Sequence, residues 1–293
     1  MNLRRDSVAL SRGQEALWFF QQMSPHCSVY NMCSAHRIQG EIDADRLRQA
    51  LNRTVDRHAV LSSLIVRIDG SYAHTKVASP EVPFTLVSAE AVENVTALEQ
   101  RITEFALLPF DLERDLPVRA ALIGFETNIH VFVLSIHHLV ADAWSIEIVL
   151  RDLSAAYSEH FFGDNVAPQF AEFANAVSPQ ALEVDGCYWR SRLIDAPHVL
   201  DLCPARARPA IRAFTGATVS GRMSSHTEDR LKDFCRLKRR TPASVLLACY
   251  AILVHRYTAA TTFIIGTPMA GRMAAGAEQV VGLVVELTRL PVV

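Results

Sequence analysis

The strongest constraint on the fold of this chain is an apolar run, Ile129 to Ile136, that ends in two adjacent histidines. The run predicts a buried strand, and a helical pattern follows it closely, with Ser145 as the predicted cap. The apolar residues of that helix recur at three-to-four spacing, at Ile146, Val149, Leu150, Leu153 and Tyr157. A side chain at such a strand-to-helix junction has an apolar wall on one side and free backbone N–H groups on the other.

Helical and strand-like patterns alternate along the rest of the chain, which predicts an α/β fold. Asp43 is a predicted N-cap for an amphipathic helix that ends near His58, and a strand is expected in 59–68. Residues Arg119 to Phe125 predict a second strand, joined to the histidine strand by a short polar turn. Residues Thr215 to Met223 alternate like a further strand.

The stretch 195–213 is rich in prolines and charges, has no periodicity, and predicts an exposed linker. It divides the 293 residues into an N-terminal lobe, 1–194, and a shorter C-terminal lobe, 214–293. In the second lobe a helix is predicted to start at Thr241-Pro242 and to bury Val245, Leu246, Ala248, Cys249, Ile252 and Leu253. Because this lobe ends inside a strand-like pattern, we expect it to be truncated.

Charge and hydropathy exclude several classes of partner. The net charge of −2 and the lack of basic blocks disfavour nucleic acid. The longest apolar stretch, Val245 to Val254, is too short to span a bilayer, so no membrane association is expected. The N-terminus has no apolar segment typical of a secretion signal. We therefore expect a cytoplasmic protein whose six cysteines are reduced.

Two histidines in a row on a strand point to opposite faces, which argues against a shared metal, and no metal site is predicted. His138 can act as a general base or as a hydrogen-bond acceptor for an incoming amine or hydroxyl. Asp142 could orient His138 or bind an arginine that holds the loop, and we favour an arginine. The candidates are Arg57 and Arg272. The backbone N–H groups of Ala143, Trp144 and Ser145 would suit a developing oxyanion.

Other catalytic patterns are missing from the sequence: it has no GxSxG, Walker loop, GxGxxG or HExxH. If the chain is an enzyme, its nucleophile is therefore expected to come from a substrate. This predicts direct transfer between two bound partners.

The segment from His137 to Ala143 resembles the HHxxxDG motif of the condensation domains of nonribosomal peptide synthetases, in the chloramphenicol acetyltransferase-like superfamily. Further segments resemble the family's motifs in the family's order: Leu10 to Phe19 (LSxxQxxLWF), Pro25 to Asn31 (P…YN), Arg57 to Leu61 (RHxxL), Pro109 to Leu112 (PFDL), Tyr188-Trp189 (YW), Gly266 to Arg272 (GTPxAGR) and Val281-Gly282 (VGxFVNT). The order of the motifs is more specific than any one of them.

The resemblance implies two chloramphenicol-acetyltransferase-like αβ sandwich lobes in a V, a pseudo-dimer with the active site in a tunnel between them. It implies peptide-bond formation between a donor acyl or peptidyl thioester and the amine of an acceptor aminoacyl thioester. Both would be delivered on the 4′-phosphopantetheine arms of peptidyl carrier domains, beside an adenylation domain of the same assembly line, with no cofactor bound by this chain itself. His138 matches the catalytic histidine, His137 the more structural one, and Asp142 the loop-holding aspartate.

The sequence also departs from the family pattern. Ala143 replaces the motif glycine, which would cost roughly 1 kcal/mol if that position used positive φ. Ser62 and Ser63 replace arginine and threonine, and Glu286 and Leu287 replace asparagine and threonine. Together with Gly282, Glu286 is expected near the tunnel. Two alternatives stay open: a stand-alone acyltransferase with an acyl-carrier or coenzyme A donor, and a degenerate, non-catalytic module that docks carriers.

Overall fold

The computed structural model describes residues 7–159, 166–174, 179–197, 199–202, 214 and 216–292, with only the backbone of 179–182. The chain divides into two compact units, and each is described by itself. Unit 1 comprises Met1–Ala176 with Ala270–Glu286, and unit 2 comprises Val177–Met269 with Leu287–Val293.

Unit 1 has mixed α and β structure. In chain order its elements are β1 (Ser7–Ala9), α1 (Arg12–Met23), β2 (Asn31–Gln39), α2 (Ala44–Arg57), β3 (Ser63–Ile68), β4 (Ser71–Lys76), β5 (Phe84–Val87), a 3₁₀ turn (Ala89–Ala91), α3 (Val95–Leu107), β6 (Val118–Glu126), β7 (Ile129–His137), α4 (Ala143–Tyr157), the short α5 (Phe170–Phe173) and a second 3₁₀ turn (Ala277–Gln279).

Two sheets form in unit 1. The larger has the strand order β2-β7-β6-β5, antiparallel except that β5 runs parallel to β6. The smaller is antiparallel in the order β1-β4-β3, and a turn at Asp69-Gly70 joins β3 to β4. Both predicted strands around the histidine run are confirmed, as β6 and β7. The strand expected in 59–68 begins only at Ser63.

The larger sheet is covered on both faces, which explains why β7 is apolar over most of its length. Alternate residues of β7 pack with α2 and α4 on one face, namely Phe132, Leu134 and Ile136. Val131 and Val133 pack on the other face with residues of α3. Helix α2 begins after its predicted cap Asp43, whose carboxylate accepts a hydrogen bond from the N–H of Arg46 at 2.9 Å.

Unit 2 contains α6 (Pro179–Leu193), α7 (Ser225–Lys238), α8 (Pro242–Thr258) and β8 (Phe263–Met269). Strand β8 pairs with β9 (Glu286–Val292), which belongs to unit 2 from Leu287 onward. The predicted start of α8 at Thr241-Pro242 is confirmed. Its predicted buried face is wrong: Leu246, Ile252 and Leu253 are each about half exposed. Among the described residues, β8 covers only one side of the helix, and there Val254 packs on Phe263 and Ile265.

Two further predictions concern this part of the chain, the strand 215–223 and the linker 195–213. Residues 216–223 form no strand, since no described strand pairs with them, and Thr215 lies outside the described residues. Most of the predicted linker 195–213 also lies outside them.

The compact units differ from the predicted lobes: α6 belongs to unit 2, and 270–286 belongs to unit 1, where it binds Asp142. No helix in the described ranges is long and apolar enough to cross a membrane.

Candidate functional site

The histidine pair lies where β7 ends and the chain turns toward α4. His137 is the last residue of β7, and residues 138–140 form a turn. The turn is fixed by long-range contacts: the N–H of His138 donates to the carbonyl of Tyr30 at 2.8 Å. Gln14 Nε2 of α1 donates to the carbonyl of Leu139 at 2.9 Å. The backbone of the motif is therefore held by two segments far away in sequence.

The ring of His138 has a defined tautomer. Its Nδ1 lies 2.7 Å from the carbonyl oxygen of Ala141. A carbonyl oxygen can only accept, so Nδ1 carries the proton and Nε2 of the neutral ring presents a lone pair. No described residue forms a hydrogen bond with Nε2, and the side chain is only partly buried. His138 is thus prepared to accept a proton or a hydrogen bond at Nε2.

His137 has the opposite arrangement. Its side chain is 1% exposed, and its Nδ1 accepts a hydrogen bond from the N–H of Leu139 at 3.1 Å. The proton of the neutral ring is therefore on Nε2. Burial, followed by the charges of His138 and Arg119, lowers the pKa of His137 to about 3. His137 is thus a neutral, buried ring whose Nδ1 supports the turn.

This lowered pKa makes stability depend on pH. Between about 6.5 and 3 the unfolded chain binds a proton at His137 that the native protein does not. The stability that His137 provides is therefore complete above pH 6.5 and falls with the pH in that window. Asparagine can place its oxygen at the Nδ1 position, so His137→Asn is expected to flatten the decline by up to ~1.4 kcal/mol per pH unit.

The measurement is urea unfolding at pH 7, 6, 5 and 4.5 for the wild type and His137→Asn. Burial also lowers the pKa of His74, to about 4. His74 is present in both proteins, so the difference between their slopes isolates His137. Parallel curves of unfolding free energy against pH would contradict the assignment.

Asp142, and not Ser145, caps α4. The helix begins at Ala143, and the Asp142 carboxylate accepts hydrogen bonds from the N–H of Ser145 at 2.8 Å and from its hydroxyl at 2.7 Å. The sequence prediction placed the cap three residues too late because serine is also a good cap residue. This corrects the prediction that the N–H of Ser145 serves a developing oxyanion, because that N–H donates to Asp142. Those of Ala143 and Trp144 have no acceptor among the described residues.

The arginine that binds Asp142 is Arg272. Its Nη2 lies 2.8 and 3.0 Å from the two carboxylate oxygens, and both side chains are almost completely buried. The N–H groups of Val284 and Val285 donate to the same carboxylate at 3.2 and 3.1 Å. The other candidate, Arg57, does not reach Asp142. It binds Asp152 at 3.2 Å, because it ends α2 beside the later turns of α4.

Ser145 and Trp144 attach the segment 270–286 to the start of α4. The hydroxyl of Ser145 lies 2.9 Å from the carbonyl oxygen of Gly282 and accepts from the N–H of Gly282 at 3.1 Å. The indole N–H of Trp144 donates to the carbonyl of Glu278 at 3.0 Å. Both side chains therefore bind the segment 270–286, and their loop-holding role stays a prediction.

Gly282 is buried because its α-carbon faces an aromatic ring. A β-carbon there would lie 2.1 Å from Cδ2 of Phe170, so Gly282→Ala forces a displacement. We expect the substitution to lower the free energy of unfolding by about 1–3 kcal/mol, as overpacking does elsewhere. Urea unfolding would measure it. Gly221→Ala is the matched control, since nothing lies within 4 Å of its added β-carbon; equal losses for the two variants would refute the packing argument.

Ala143 is the first residue of α4 and is exposed, and its φ is not positive. The expected cost of replacing the motif glycine therefore does not arise. Glu286 is exposed at the first position of β9. The predicted tunnel position of Gly282 and Glu286 stays a prediction.

Gln14 is a site residue for which the sequence predicted no role. It closes a capping box with Ser11 at the start of α1 and is completely buried. The spacing Ser11-x-x-Gln14 is readable as a capping box. Its second partner, Leu139, is 125 residues away and gives no signal in the sequence.

Comparisons with known proteins find relatives over nearly the whole length of the chain. A family model described as Condensation domain matches residues 4–292. Malpibaldin synthetase of Mortierella alpina is 28% identical over 99% of this chain and 5% of its own length. The dimodular nonribosomal peptide synthase of Bacillus subtilis (strain 168) is 30% identical over 96% of this chain and 12% of its own length. The chain thus spans a small part of these relatives.

Solved structures share the fold. A four domain nonribosomal peptide synthetase, holo-AB3403 bound to AMP and glycine, superposes with a TM-score of 0.85 at 21% identity, over 98% of this chain and 22% of the other. The condensation domain of the Monacolin K polyketide synthase MokA gives a TM-score of 0.81 at 21% identity, over 98% of this chain and 67% of the other. At this identity the likeness establishes the mixed α/β fold.

Proposed function

This chain belongs to the condensation domain family, and from that premise we propose that it forms an amide bond between a donor acyl or peptidyl thioester and the amine of an acceptor aminoacyl thioester. The observation that carries the proposal is the state of His138. Its Nδ1–H is committed to the carbonyl of Ala141, so Nε2 is the one ring atom that can accept from an amine.

In the proposed reaction the amine nitrogen attacks the thioester carbonyl carbon. His138 Nε2 accepts a hydrogen bond from the amine and takes one of its protons as the C–N bond forms. The C–S bond then breaks, and the proton passes from His138 to the sulfur, which leaves as a thiol. The products are one amide and one free thiol, and His138 returns to its neutral form. General base catalysis of this kind contributes typically 10²–10⁴-fold in rate.

The other site residues support this reaction without contacting the amine. His137 holds the turn that carries His138, and Asp142 with Arg272 fixes the start of α4. The N–H groups of Ala143 and Trp144 are the backbone donors available at that helix start, and we assign them to the developing oxyanion. The sequence had suggested the N–H of Ser145 for this role as well, but that group donates to Asp142.

The wider assembly is part of the proposal. We propose two chloramphenicol-acetyltransferase-like lobes in a V, a tunnel that includes Gly282 and Glu286, and substrates carried on the 4′-phosphopantetheine arms of donor and acceptor carrier domains. A neighbouring adenylation domain would load the acceptor carrier. The names of the relatives, a synthetase and a nonribosomal peptide synthase, support this setting. A cytoplasmic location stays a prediction from the sequence.

The test is a transfer assay. This chain is incubated with one carrier domain loaded with an acyl thioester and a second loaded with an aminoacyl thioester, and mass spectrometry follows the acceptor carrier. The expected product is the acyl-aminoacyl thioester on the acceptor, formed faster than without the chain. Transfer to a free alcohol or small amine instead would favour the stand-alone acyltransferase. Carrier binding without transfer for any substrate pair would favour the docking module and contradict the proposal.

A further inference from the structure

A row of polar side chains lies on the same face of the larger sheet as His137. In the strand register Asn31 of β2 is opposite His137, and Cys33 of β2 and Arg119 of β6 both flank Ser135 of β7. This face is covered by α3 and the residues that follow it. Ser135 and His137 are buried and Asn31, Cys33 and Arg119 are partly buried, so the polar atoms of this row need hydrogen-bond partners.

Asn31 and Arg119 meet that need by binding the last turn of α3 and the chain just after it. Asn31 Nδ2 donates to the carbonyls of Ala106 and Leu108 at 2.8 and 2.6 Å. Arg119 Nη2 donates to the carbonyls of Leu108 and Pro109 at 2.6 and 3.0 Å. Two strands of one sheet therefore clamp one short segment against it.

The clamped segment delivers an aromatic ring to His137. The guanidinium carbon of Arg119 lies 3.6 Å from the centre of the Phe110 ring, a close cation–π contact. The Phe110 ring in turn meets the His137 ring at 6.0 Å and 85°, edge to face. From α1, Gln21 Nε2 donates to the carbonyl of Phe110 at 3.0 Å. Phe110 is buried and cannot move without disturbing these contacts.

We propose that Arg119 is a positioning residue for His138 and acts through Phe110 and His137. Arg119 fixes Phe110, and Phe110 fixes the plane of the His137 ring. Nδ1 of His137 then orients the N–H of Leu139, which sets the turn whose Ala141 carbonyl holds the His138 ring. The inference rests on the proposed function and deepens it, since it names a further residue on which the base depends.

The charges around His137 agree with this role. The ionisable groups that face it are His138 beside it, Tyr30 before β2, Cys33 on β2 and Arg119 on β6. No carboxylate is among these described groups. The carboxylate of Asp115 interacts with the charge of Arg119. Burial is the main cause of the lowered pKa that keeps the His137 ring neutral, and the cation of Arg119 adds to it while it holds Phe110.

The test reads the two histidine rings directly, by ¹⁵N NMR of the imidazoles at pH 8. In the wild type we expect one tautomer each, with the proton on Nε2 of His137 and on Nδ1 of His138. In Arg119→Met the His138 signal is expected to become that of a mixture of both tautomers. Arg119→Lys keeps the positive charge and a donor group, and it is expected to restore most of the wild-type signal. Arg37→Met, an exposed arginine on β2, is the control and should change nothing.

A second variant covers the case in which Arg119→Met does not fold. Phe110→Leu keeps the hydrogen bonds of Arg119 to the carbonyls but removes the ring between Arg119 and His137. It should shift the signals of both histidines. If Phe110→Leu, or a folded Arg119→Met, leaves the His138 signal as in the wild type, the proposal is overturned.

The NMR result does not depend on turnover. In the carrier assay the same Arg119→Met variant should lower kcat by roughly 10- to 100-fold with KM within about twofold, as expected for a misplaced base. Wild-type chain that makes no amide would defeat the proposed function and leave the positioning role testable by NMR. Unchanged rings in an active enzyme would defeat the positioning role alone.

Discussion

Replacing His138 with alanine is expected to lower the rate of amide formation by roughly 10²–10⁴-fold, the usual contribution of a positioned general base. The effect should fall on kcat, because the ring acts on the amine during bond formation and not on the binding of the carriers. The assay is product formation between two loaded carriers under saturating acceptor. Near-wild-type turnover would show that Nε2 of His138 is not the group that accepts the proton.

The structure offers a sharper variant than alanine. In His138→Asn the side-chain amide can occupy the Nδ1 position and donate to the carbonyl of Ala141, but nothing replaces Nε2. This variant should keep the stability of the wild type and lose activity as alanine does. His130→Ala, on the same strand, is the matched control and should keep full activity. If His138→Asn remains active, the role of His138 is to hold the turn and not to accept a proton.

Removal of the Asp142 carboxylate is expected to have the largest effect on stability. Asp142→Ala leaves the guanidinium of Arg272 buried without its carboxylate, and breaking a buried pair typically costs about 3–5 kcal/mol. The N–H groups of Val284 and Val285 lose their acceptor at the same time. Urea unfolding at pH 7, followed by tryptophan fluorescence, measures the change. Activity should fall as well, since the start of α4 is no longer fixed.

Two comparisons make this result specific. In the exposed pair of α2, Asp45→Ala should cost less than about 1 kcal/mol, although the distance to Arg48, 2.9 Å, is similar. The double variant Asp142→Ala with Arg272→Ala should lose less than the sum of the single losses, since the second change removes the unpaired charge. Additive losses, or a loss below about 1 kcal/mol for Asp142→Ala, would mean that the pair does not stabilise unit 1.

The elements next to the histidines could be predicted from the sequence because their signals are local. The apolar run of β7 and the cap and spacing of α2 each follow from residues within one element. Helix α8 shows the limit of this approach. Its start follows from Thr241-Pro242, but its buried face depends on which neighbours cover it, and a sequence pattern does not specify neighbours.

The residues of the site could be predicted only in part. The sequence pointed to His138 and to an arginine for Asp142, but both Arg57 and Arg272 remained candidates. Only the packing of 270–286 against α4 distinguishes them, because that contact joins residues far apart in the chain. Arg119 gave no sequence signal at all. Its role depends on the register between two strands and on one aromatic ring.

The ion pair between Asp142 and Arg272 also has a consequence for the order in which the protein is made. Arg272 follows Asp142 by 130 residues, and a ribosome that adds about 5–20 residues per second needs on the order of ten seconds for that distance. All four strands of the larger sheet are synthesised before the interval begins. A nascent chain therefore carries both histidines for seconds before the arginine that fixes the adjoining helix leaves the ribosome.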